Sequence, residues 1–281
     1  MRRRPAEVAV RYVRSQAFAD VGVATRARAI LMADECTVLA RLRPPAAQLD
    51  YLAAHVLARG MLAEVSGSEP AGIELRCPPG GSPEWAAPAD ALPRAFSISH
   101  ADGIALCAVA SGCRVGADVE SLRNFGPDPL DVAEVVCSTA EKERLGALPA
   151  TARAEYLLHL WTVKEAVAKA MGLGFRLPFD RITVQPTGDG AALHFAEPMA
   201  GASSHTAAHE LPACDDPSGW RIAVWRVTHH LAAVAVCLPA EGEVVFRFAE
   251  WEAGGIQGAN PGAGARPTRD GESTRERRDP A

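Results

Sequence analysis

Two carboxylates two residues apart lie in the segment from Val115 to Glu120. Because side chains alternate along a β-strand, Asp118 and Glu120 should project from one face, with roughly 7 Å between their Cα atoms. Two ionised carboxylates so placed repel each other unless a cation or a basic group lies between them. Hard oxygen ligands of this kind suit Mg²⁺, which also takes phosphate oxygens and water. An isolated pair of this type is usually just solvated, so other residues must decide its role.

A second group of chemically capable residues lies in the strongest helical segment, Thr151 to Met171. Trp161, Glu165 and Lys169 are four residues apart and therefore share one helical face. As an ordinary exposed pair, Glu165 and Lys169 would stabilise the helix by only about 0.3 kcal/mol. Apolar bulk beside this face favours another interpretation, in which Glu165 completes a metal site and Lys169 binds phosphate.

A third candidate is the dipeptide Ser99-His100, where a predicted strand enters the turn at Asp102-Gly103. Neighbouring side chains on a strand point to opposite faces, and no Gly-x-Ser-x-Gly elbow occurs nearby, so a hydrolase triad is excluded. Alone, His100 would be interpreted as a surface histidine. We interpret Ser99 and His100 as phosphate or ligand contacts.

Other polar residues give weaker signals. His205 and His209 are four apart, but they lie in a segment rich in Gly, Ser and Pro, and no Glu follows His205 as in zinc proteases. We interpret His229-His230, in a predicted hairpin, as a surface pair. Glu141 fits a capping box that begins at Ser138, which we favour over a catalytic role.

Composition and charge narrow the class of protein. The 281 residues are 48% hydrophobic, enough for a buried core, and the net charge of -5 indicates no global nucleic-acid-binding field. Seven scattered cysteines without a Cys-x-x-Cys spacing argue against a disulfide framework or a zinc knuckle. No segment matches a signal peptide or a membrane span, so we expect a cytoplasmic protein that binds neither membrane nor nucleic acid.

Helical and strand patterns follow each other twice along the chain. Residues from about Val23 to Ala63 predict two helices broken at Pro44-Pro45, and those from Ala95 to Glu120 predict a three-stranded meander. Helices are expected again at 128–136, 139–145 and 151–171, and strands at 182–184, 193–195, 220–227, 231–238 and 244–248.

This repeated order predicts an α+β fold of two similar halves. We place the halves at residues 1–115 and 116–250. Residues 251–281 have no aromatic residue beyond Trp251 and are dominated by Gly, Pro, Arg, Asp and Glu. Such a segment cannot bury enough surface to offset its ordering entropy, so it is predicted to be a disordered tail.

In their order and spacing, the three motifs together resemble the signature of surfactin-type 4′-phosphopantetheinyl transferases. They are Ser99-His100, Gly116-x-Asp118-x-Glu120, and Trp161-x-x-Lys164-Glu165-x-x-x-Lys169 followed by Gly172. The resemblance spans about Leu31 to Leu238. It implies a pseudo-dimer of two α/β halves with the active site, and coenzyme A, in the cleft between them.

The resemblance also implies roles for single residues. Asp118, Glu120 and Glu165 would hold Mg²⁺ against the pyrophosphate of coenzyme A, and Lys169 would neutralise that pyrophosphate. Glu165 and Lys169 are therefore the catalytic candidates. The remaining contacts to coenzyme A would come from Ser99, His100 and Arg59, the last resembling a helix arginine near the nucleotide in the family.

The reaction so implied moves the phosphopantetheine arm of coenzyme A, as co-substrate, onto a serine of an apo acyl or peptidyl carrier protein. Carrier proteins of fatty acid, polyketide or nonribosomal peptide synthesis are the expected partners, 3′,5′-ADP is released, and the enzyme is expected to be a monomer. Either Glu165 or a metal-bound water would take the serine proton. The alternative is a non-catalytic coenzyme A or carrier-protein binding module of the same fold.

One loop departs from the family pattern. Members often carry Gly-Lys-Pro before the Ser-His strand, whereas this chain has Gly80-Gly81-Ser82-Pro83, with no lysine. Arg41, Arg43 and Arg76 are the nearby basic residues that could replace it.

Overall fold

A computed structural model describes residues 4–78, 81–87, 94–123, 130–196, 214, 216–238 and 242–253 of the chain. The α-helices in this part are α1 (Val21–Ala29), α2 (Ala33–Arg41), α3 (Pro45–Ser66), α4 (Leu130–Val136), α5 (Thr139–Ala147) and α6 (Ala150–Met171). The strands are β1 (Ala6–Arg14), β2 (Leu75–Arg76), β3 (Glu84–Trp85), β4 (Arg94–Ala101), β5 (Ile104–Ser111), β6 (Arg114–Ser121), β7 (Ile182–Thr187), β8 (Gly190–Phe195), β9 (Trp220–Val227), β10 (His230–Cys237) and β11 (Val244–Glu250).

Two larger sheets are each packed against one 22-residue helix, and β2 and β3 form a separate two-stranded sheet. The first has the strand order β11-β1-β5-β4 and packs against α3; the second has the order β6-β10-β9-β8-β7 and packs against α6. In both sheets the strand before the long helix pairs with the second strand of a later hairpin, β1 with β5 and β6 with β10. The α+β prediction is therefore confirmed, and this shared topology is consistent with two similar halves, whose exact boundary stays a prediction.

The predicted three-stranded meander is wrong in its third strand. β4 and β5 form the expected hairpin, but β6 pairs with β10 along its whole length. The reason is that β5 already has β1 and β4 on its two edges, so it has no free edge to offer β6. β4 and β6 are consequently the end strands of two different sheets.

These two end strands face each other. They share no backbone hydrogen-bond ladder, and side-chain hydrogen bonds join them instead. The Ala117 amide donates to Ser97 Oγ at 2.9 Å, and Ser99 Oγ donates to an Asp118 carboxylate oxygen at 2.8 Å. We call this line of contact, formed by Ser97 and Ser99 of β4 and Ala117 and Asp118 of β6, the seam.

The chain ends of the described region meet in the first sheet. β11 pairs in parallel with β1, so one strand of the predicted second half, residues 116–250, belongs to the first sheet. The Trp251 amide then donates to the Tyr12 carbonyl at 2.7 Å, and its indole lies against Gly60. Residues 251–253, which the sequence analysis placed in the tail, therefore belong to the described structure, and residues 254–281 lie outside it.

The helical predictions hold except near the N-terminus, where three helices replace the predicted two. The additional break follows Ile30, and the Met32 amide at the start of α2 donates to the Glu35 carboxylate at 2.7 Å. This bond satisfies an otherwise free donor at the helix start. Gly172 ends α6 with a φ of 68°, as its position in the sequence predicted.

Each long helix buries an apolar face. The predicted stripe of α3 is confirmed, with Leu52, Val56, Leu57 and Met61 all at most 2% exposed. Besides the apolar groups under α3 and α6, a separate cluster of buried residues lies between the two sheets and includes Val10, Leu106, Val119 and Val234. None of the described helices combines the length and the apolar character needed to cross a membrane.

Gly116 allows α6 to lie unusually close to β6. A Cβ atom at this position would be 1.9 Å from the Ala166 carbonyl oxygen and 2.5 Å from the Ala170 amide nitrogen. Both atoms belong to the helix backbone and cannot rotate away. The glycine of the Gly116-x-Asp118-x-Glu120 motif therefore brings the α6 side chains over the carboxylates of β6.

We predict that Gly116→Ala lowers the free energy of unfolding by about 2–4 kcal/mol, because α6 must move away from β6. Gly146→Ala is the matched control, since Gly146 lies in α5 and its Cβ would meet nothing within 4 Å. That control should be neutral or stabilise by up to about 1 kcal/mol. Urea denaturation followed by circular dichroism measures both changes. Equal stability of the two variants would contradict the close-packing role of Gly116.

Candidate active site

Three elements bring polar side chains together around Asp118, which is only 3% exposed. One carboxylate oxygen, Oδ1, accepts hydrogen bonds from Ser99 Oγ of β4 at 2.8 Å and from Lys169 Nζ of α6 at 2.7 Å. Lys169 Nζ also donates to the Ala117 carbonyl at 3.1 Å. The seam and the helix above it are thus joined by one buried carboxylate and one ammonium group.

Glu120 lies further along β6 and is held by Trp161. The indole Nε1 of Trp161 donates to Glu120 Oε1 at 2.9 Å, and its ring meets Phe179 edge-on with centroids 6.0 Å apart. Burial, followed by the neighbouring charge of Asp118, raises the pKa of Glu120 to about 7. Trp161 therefore fixes the orientation of the Glu120 carboxylate.

Glu165 completes the acidic group from the same face of α6 as Trp161 and Lys169. Its Oε1 and the second oxygen of Asp118, Oδ2, are both buried and have no hydrogen-bond partner within the described residues. Burial and then the charge of Asp118 raise the pKa of Glu165. Buried carboxylate oxygens without donors are costly, and a cation is the partner that satisfies two of them at once.

The predicted metal ligands fit Mg²⁺ by chemistry, since Asp118, Glu120 and Glu165 offer oxygen atoms only. They do not form a closed coordination shell. Among the described residues, the set of three ligand atoms found within 4.8 Å of one another belongs to a different group, Asp102, His229 and His230. Glu120 is held by Trp161, and Asp118 by Lys169.

Ser99 and His100, predicted as ligand contacts, have different positions. The Ser99 hydroxyl is engaged with Asp118, so in this structure it orients a carboxylate. His100 keeps solvent contact near the end of β4. Partial desolvation lowers the pKa of its imidazole, and among the neighbouring charges that of Asp50 acts most strongly and opposes the shift. His100 is thus the accessible member of the pair.

Arg59 does not fit the predicted nucleotide contact. Its side chain is fully buried, and its guanidinium binds Glu35 through two hydrogen bonds of 2.9 and 2.5 Å. His55 Nδ1 lies 2.6 Å from the same carboxylate. Although burial opposes it, His55 and Arg59 lower the pKa of Glu35 to about 2. Arg59 therefore connects α2 to α3 and presents no free guanidinium to a ligand.

Lys164, in the same motif as Glu165, is likewise buried and structural. Its Nζ donates to Glu141 Oε2 at 2.5 Å and to the carbonyls of Val136 and Phe179 at 2.7 and 2.9 Å. Glu141 also accepts from the Ser138 amide at 2.8 Å, which confirms the capping box. The sequence pattern carried no signal for this ion pair, because the two residues lie on separate helices.

The loop without the family lysine lies next to a cavity of about 850 Å³. Arg41 and Arg76 line this cavity, but so do the carboxylates of Glu35, Glu74 and Glu84. Arg76 is bound to Glu74 at 2.9 Å. The lining is therefore not a basic one, and residues 79 and 80 of the loop lie outside the described part.

The two lysines of the α6 motif should differ in their effect on stability. Lys164→Met leaves the buried Glu141 without its cation and should cost about 3–5 kcal/mol. Lys169→Met should cost no more than about 1–2 kcal/mol, because Asp118 keeps its bond to Ser99 and the Lys169 side chain is only partly buried. Chemical denaturation of both variants measures this, and a larger loss for Lys169→Met would contradict the structural assignment of Lys164.

The raised pKa of Glu120 predicts a pH-dependent stability in chelator-treated protein. A carboxyl whose pKa is higher in the folded chain stabilises it below the unfolded value of 4.5, and this stabilisation is lost as the pH rises to about 7. Compared with Glu120→Gln, the unmodified chain should lose up to about 3 kcal/mol across this interval. Thermal unfolding over a pH series measures the difference, and parallel curves would show that Glu120 has an ordinary pKa.

Comparison with known proteins assigns the region that carries the acidic group. Residues 114–225 match the family model described as the 4′-phosphopantetheinyl transferase superfamily. This range contains β6, α6 and the residues Asp118, Glu120, Glu165 and Lys169.

Three curated relatives carry the same designation. A 4′-phosphopantetheinyl transferase of Bacillus subtilis is 33% identical over 135 residues, 48% of this chain and 57% of that protein. The transferase Sfp of Bacillus subtilis strain 168 is 34% identical over 95 residues, 34% of this chain and 41% of that protein. The transferase HetI of a Nostoc species is 29% identical over 160 residues, 57% of this chain and 67% of that protein.

The matched segments thus span 57% and 41% of the two Bacillus relatives. Within that extent, the resemblance inferred from the three motifs is confirmed: residues 114–225 match the 4′-phosphopantetheinyl transferase superfamily, and segments of this chain are similar to the two Bacillus transferases.

Proposed function

We propose that this chain transfers the 4′-phosphopantetheine moiety of coenzyme A to a serine of an apo acyl or peptidyl carrier protein. 3′,5′-ADP is the second product, and the reaction requires Mg²⁺. One observation carries the proposal: Asp118 Oδ2 and Glu165 Oε1 are buried without hydrogen-bond partners in the described part, close to the Lys169 ammonium. A site of this kind suits a cation and a phosphate-bearing ligand.

The metal would be held by Asp118, Glu120 and Glu165. All three supply carboxylate oxygens, and two of these oxygens are the buried atoms without partners. When bound, Mg²⁺ supplies positive charge next to the pyrophosphate and lowers the cost of charge building up on its oxygens.

The chemistry replaces one phosphorus–oxygen bond with another. The serine oxygen bonds to the β-phosphorus of coenzyme A, and the bond from that phosphorus to the oxygen of the departing 3′,5′-ADP breaks. Glu165 takes the serine proton as the general base. Lys169 neutralises charge on the phosphate oxygens, and His100 contacts a phosphate of coenzyme A.

The position of the site suits a substrate as large as a protein. Glu120, Glu165 and Lys169 keep partial solvent exposure, and His100 is more exposed. A carrier-protein serine can therefore approach from solvent at the seam while Asp118, beneath these side chains, stays buried. Ser99 contributes by orienting Asp118.

We predict that transfer to an apo carrier protein stops in excess chelator and returns with Mg²⁺, because three carboxylates must be neutralised for the pyrophosphate to bind. Asp118→Asn and Glu165→Gln should each lower kcat/KM by at least about a hundredfold. The measured quantity is the mass of the carrier after incubation with coenzyme A. Glu7→Gln is the matched control, since Glu7 is an exposed carboxylate of β1 that binds Arg247 on the protein surface.

Retained folding must accompany these losses, as seen in an unchanged circular dichroism spectrum. Wild-type rates in both Asp118→Asn and Glu165→Gln at saturating Mg²⁺ would contradict the proposed site. Binding of coenzyme A without any mass gain across a panel of carriers would favour the alternative, a non-catalytic binding module.

A further inference from the structure

Two tight turns from different sheets meet at one point of the surface. The β4–β5 turn contains Asp102, and the β9–β10 turn contains Thr228 and His229. Asp102 and Thr228 have φ values of 45° and 56°, in the left-handed region that residues other than glycine rarely adopt. The backbone of both turns is thus held in a costly conformation where the sheets come together.

Three potential metal ligands converge at this point. Asp102, His229 and His230 each offer one ligand atom, and these three atoms all lie within 4.8 Å of one another. His229 Nε2 is 3.2 Å from Asp102 Oδ2, and His230 Nε2 is 3.2 Å from the Asp102 carbonyl oxygen. We call these three residues the turn cluster.

His230 adds an observation that a chance surface group would not show. The residue is only 1% exposed, and its Nδ1 is buried with no hydrogen-bond partner in the described part of the chain. Because Nε2 faces a carbonyl oxygen, it carries the proton in the neutral ring, which leaves the lone pair of Nδ1 without a donor.

The Asp102 carboxylate of the turn cluster is oriented by a buried serine. Ser121 Oγ, which is fully buried, donates to Asp102 Oδ2 at 2.8 Å. A hydrogen bond to a ligating carboxylate from a second residue is the usual support of a metal site. The Arg123 guanidinium, a competing cation, is 70% exposed and 4.0 Å from Asp102 Oδ2, so it is a weak competitor.

We propose that the turn cluster binds a divalent transition-metal ion of the zinc type, which links the first sheet to the second. Two imidazoles and one carboxylate suit zinc, whereas Mg²⁺ prefers an all-oxygen set such as that at Asp118. Zinc–ligand distances of about 2.0–2.2 Å bring tetrahedral ligands within roughly 3.5 Å of each other. The cluster therefore has to contract by about 1 Å, and water supplies the fourth ligand.

The ion has a structural role in this proposal. It joins a turn of the first sheet to a turn of the second, and neither turn carries the acidic group at the seam. Binding to the folded chain should therefore raise its melting temperature in proportion to the logarithm of the free metal concentration.

Calorimetric titration of the reduced, metal-free full chain with zinc chloride in excess Mg²⁺ tests the proposal. His229→Ala is the main variant, because this side chain is 30% exposed and its loss should leave the fold intact. His194→Ala is the matched control, an exposed histidine on β8. All variants keep the same seven cysteines, so any binding of zinc to thiols is common to all of them.

We expect the unmodified chain and His194→Ala to bind zinc at one site that His229→Ala and Asp102→Asn bind at least tenfold more weakly. Zinc should also raise the melting temperature of the first two proteins and not of the last two. Equal affinity and equal stabilisation in His229→Ala and the unmodified chain would overturn the proposal. Because both readouts are independent of transferase activity, this outcome would leave the proposed reaction untouched.

Discussion

The close contact between α6 and β6 is the constraint on which the candidate site depends. Gly116 leaves no room for even one methyl group beneath Ala166 and Ala170. At this separation the side chains of α6 reach the strand directly, so Lys169 binds Asp118 and Trp161 binds Glu120. A wider spacing would open the group to water, and the shifted pKa values of Glu120 and Glu165 would relax toward their ordinary range.

The buried charged groups on the two sides of α6 differ in how completely they are hydrogen-bonded. On one side, Lys164 and Glu141 form an ion pair in which every partner is satisfied by further hydrogen bonds. On the other side, two carboxylate oxygens of Asp118 and Glu165 have no donor in the described structure. The first arrangement anchors the helix. The second retains unfavourable electrostatics that a bound cation and phosphate would relieve, which is typical of a functional site.

The two halves repeat this anchoring device residue by residue, although no repeat is visible in the sequence. Glu35 and Glu141 are both the third residue of a short helix and both close a capping-box bond at its start. Each binds a basic residue that is the fifteenth in the following 22-residue helix, Arg59 in α3 and Lys164 in α6. The next residues, Gly60 and Glu165, differ completely, so only the second half carries the carboxylate of the site.

Local periodicity determined a large part of this protein. The four-residue spacing of Trp161, Glu165 and Lys169 and the two-residue spacing of Asp118 and Glu120 define shared faces of a helix and a strand, whatever packs on them. The capping box at Ser138 and the helix end at Gly172 are local in the same sense. The family resemblance follows from these motifs, because each is encoded within twelve or fewer consecutive residues.

Contacts between distant residues were decided by the tertiary structure alone. Which strand pairs with β6, whether Arg59 faces a ligand or Glu35, and whether His229 and His230 meet Asp102 all depend on segments far apart in the chain. Strand pairing is set by which sheet edges remain free, and the role of a buried charge is set by its nearest partner. Neither the strand pairing nor the partner of a buried charge is encoded in the spacing of residues along one segment. A sequence pattern can therefore identify the groups of a site but not the neighbours that hold them.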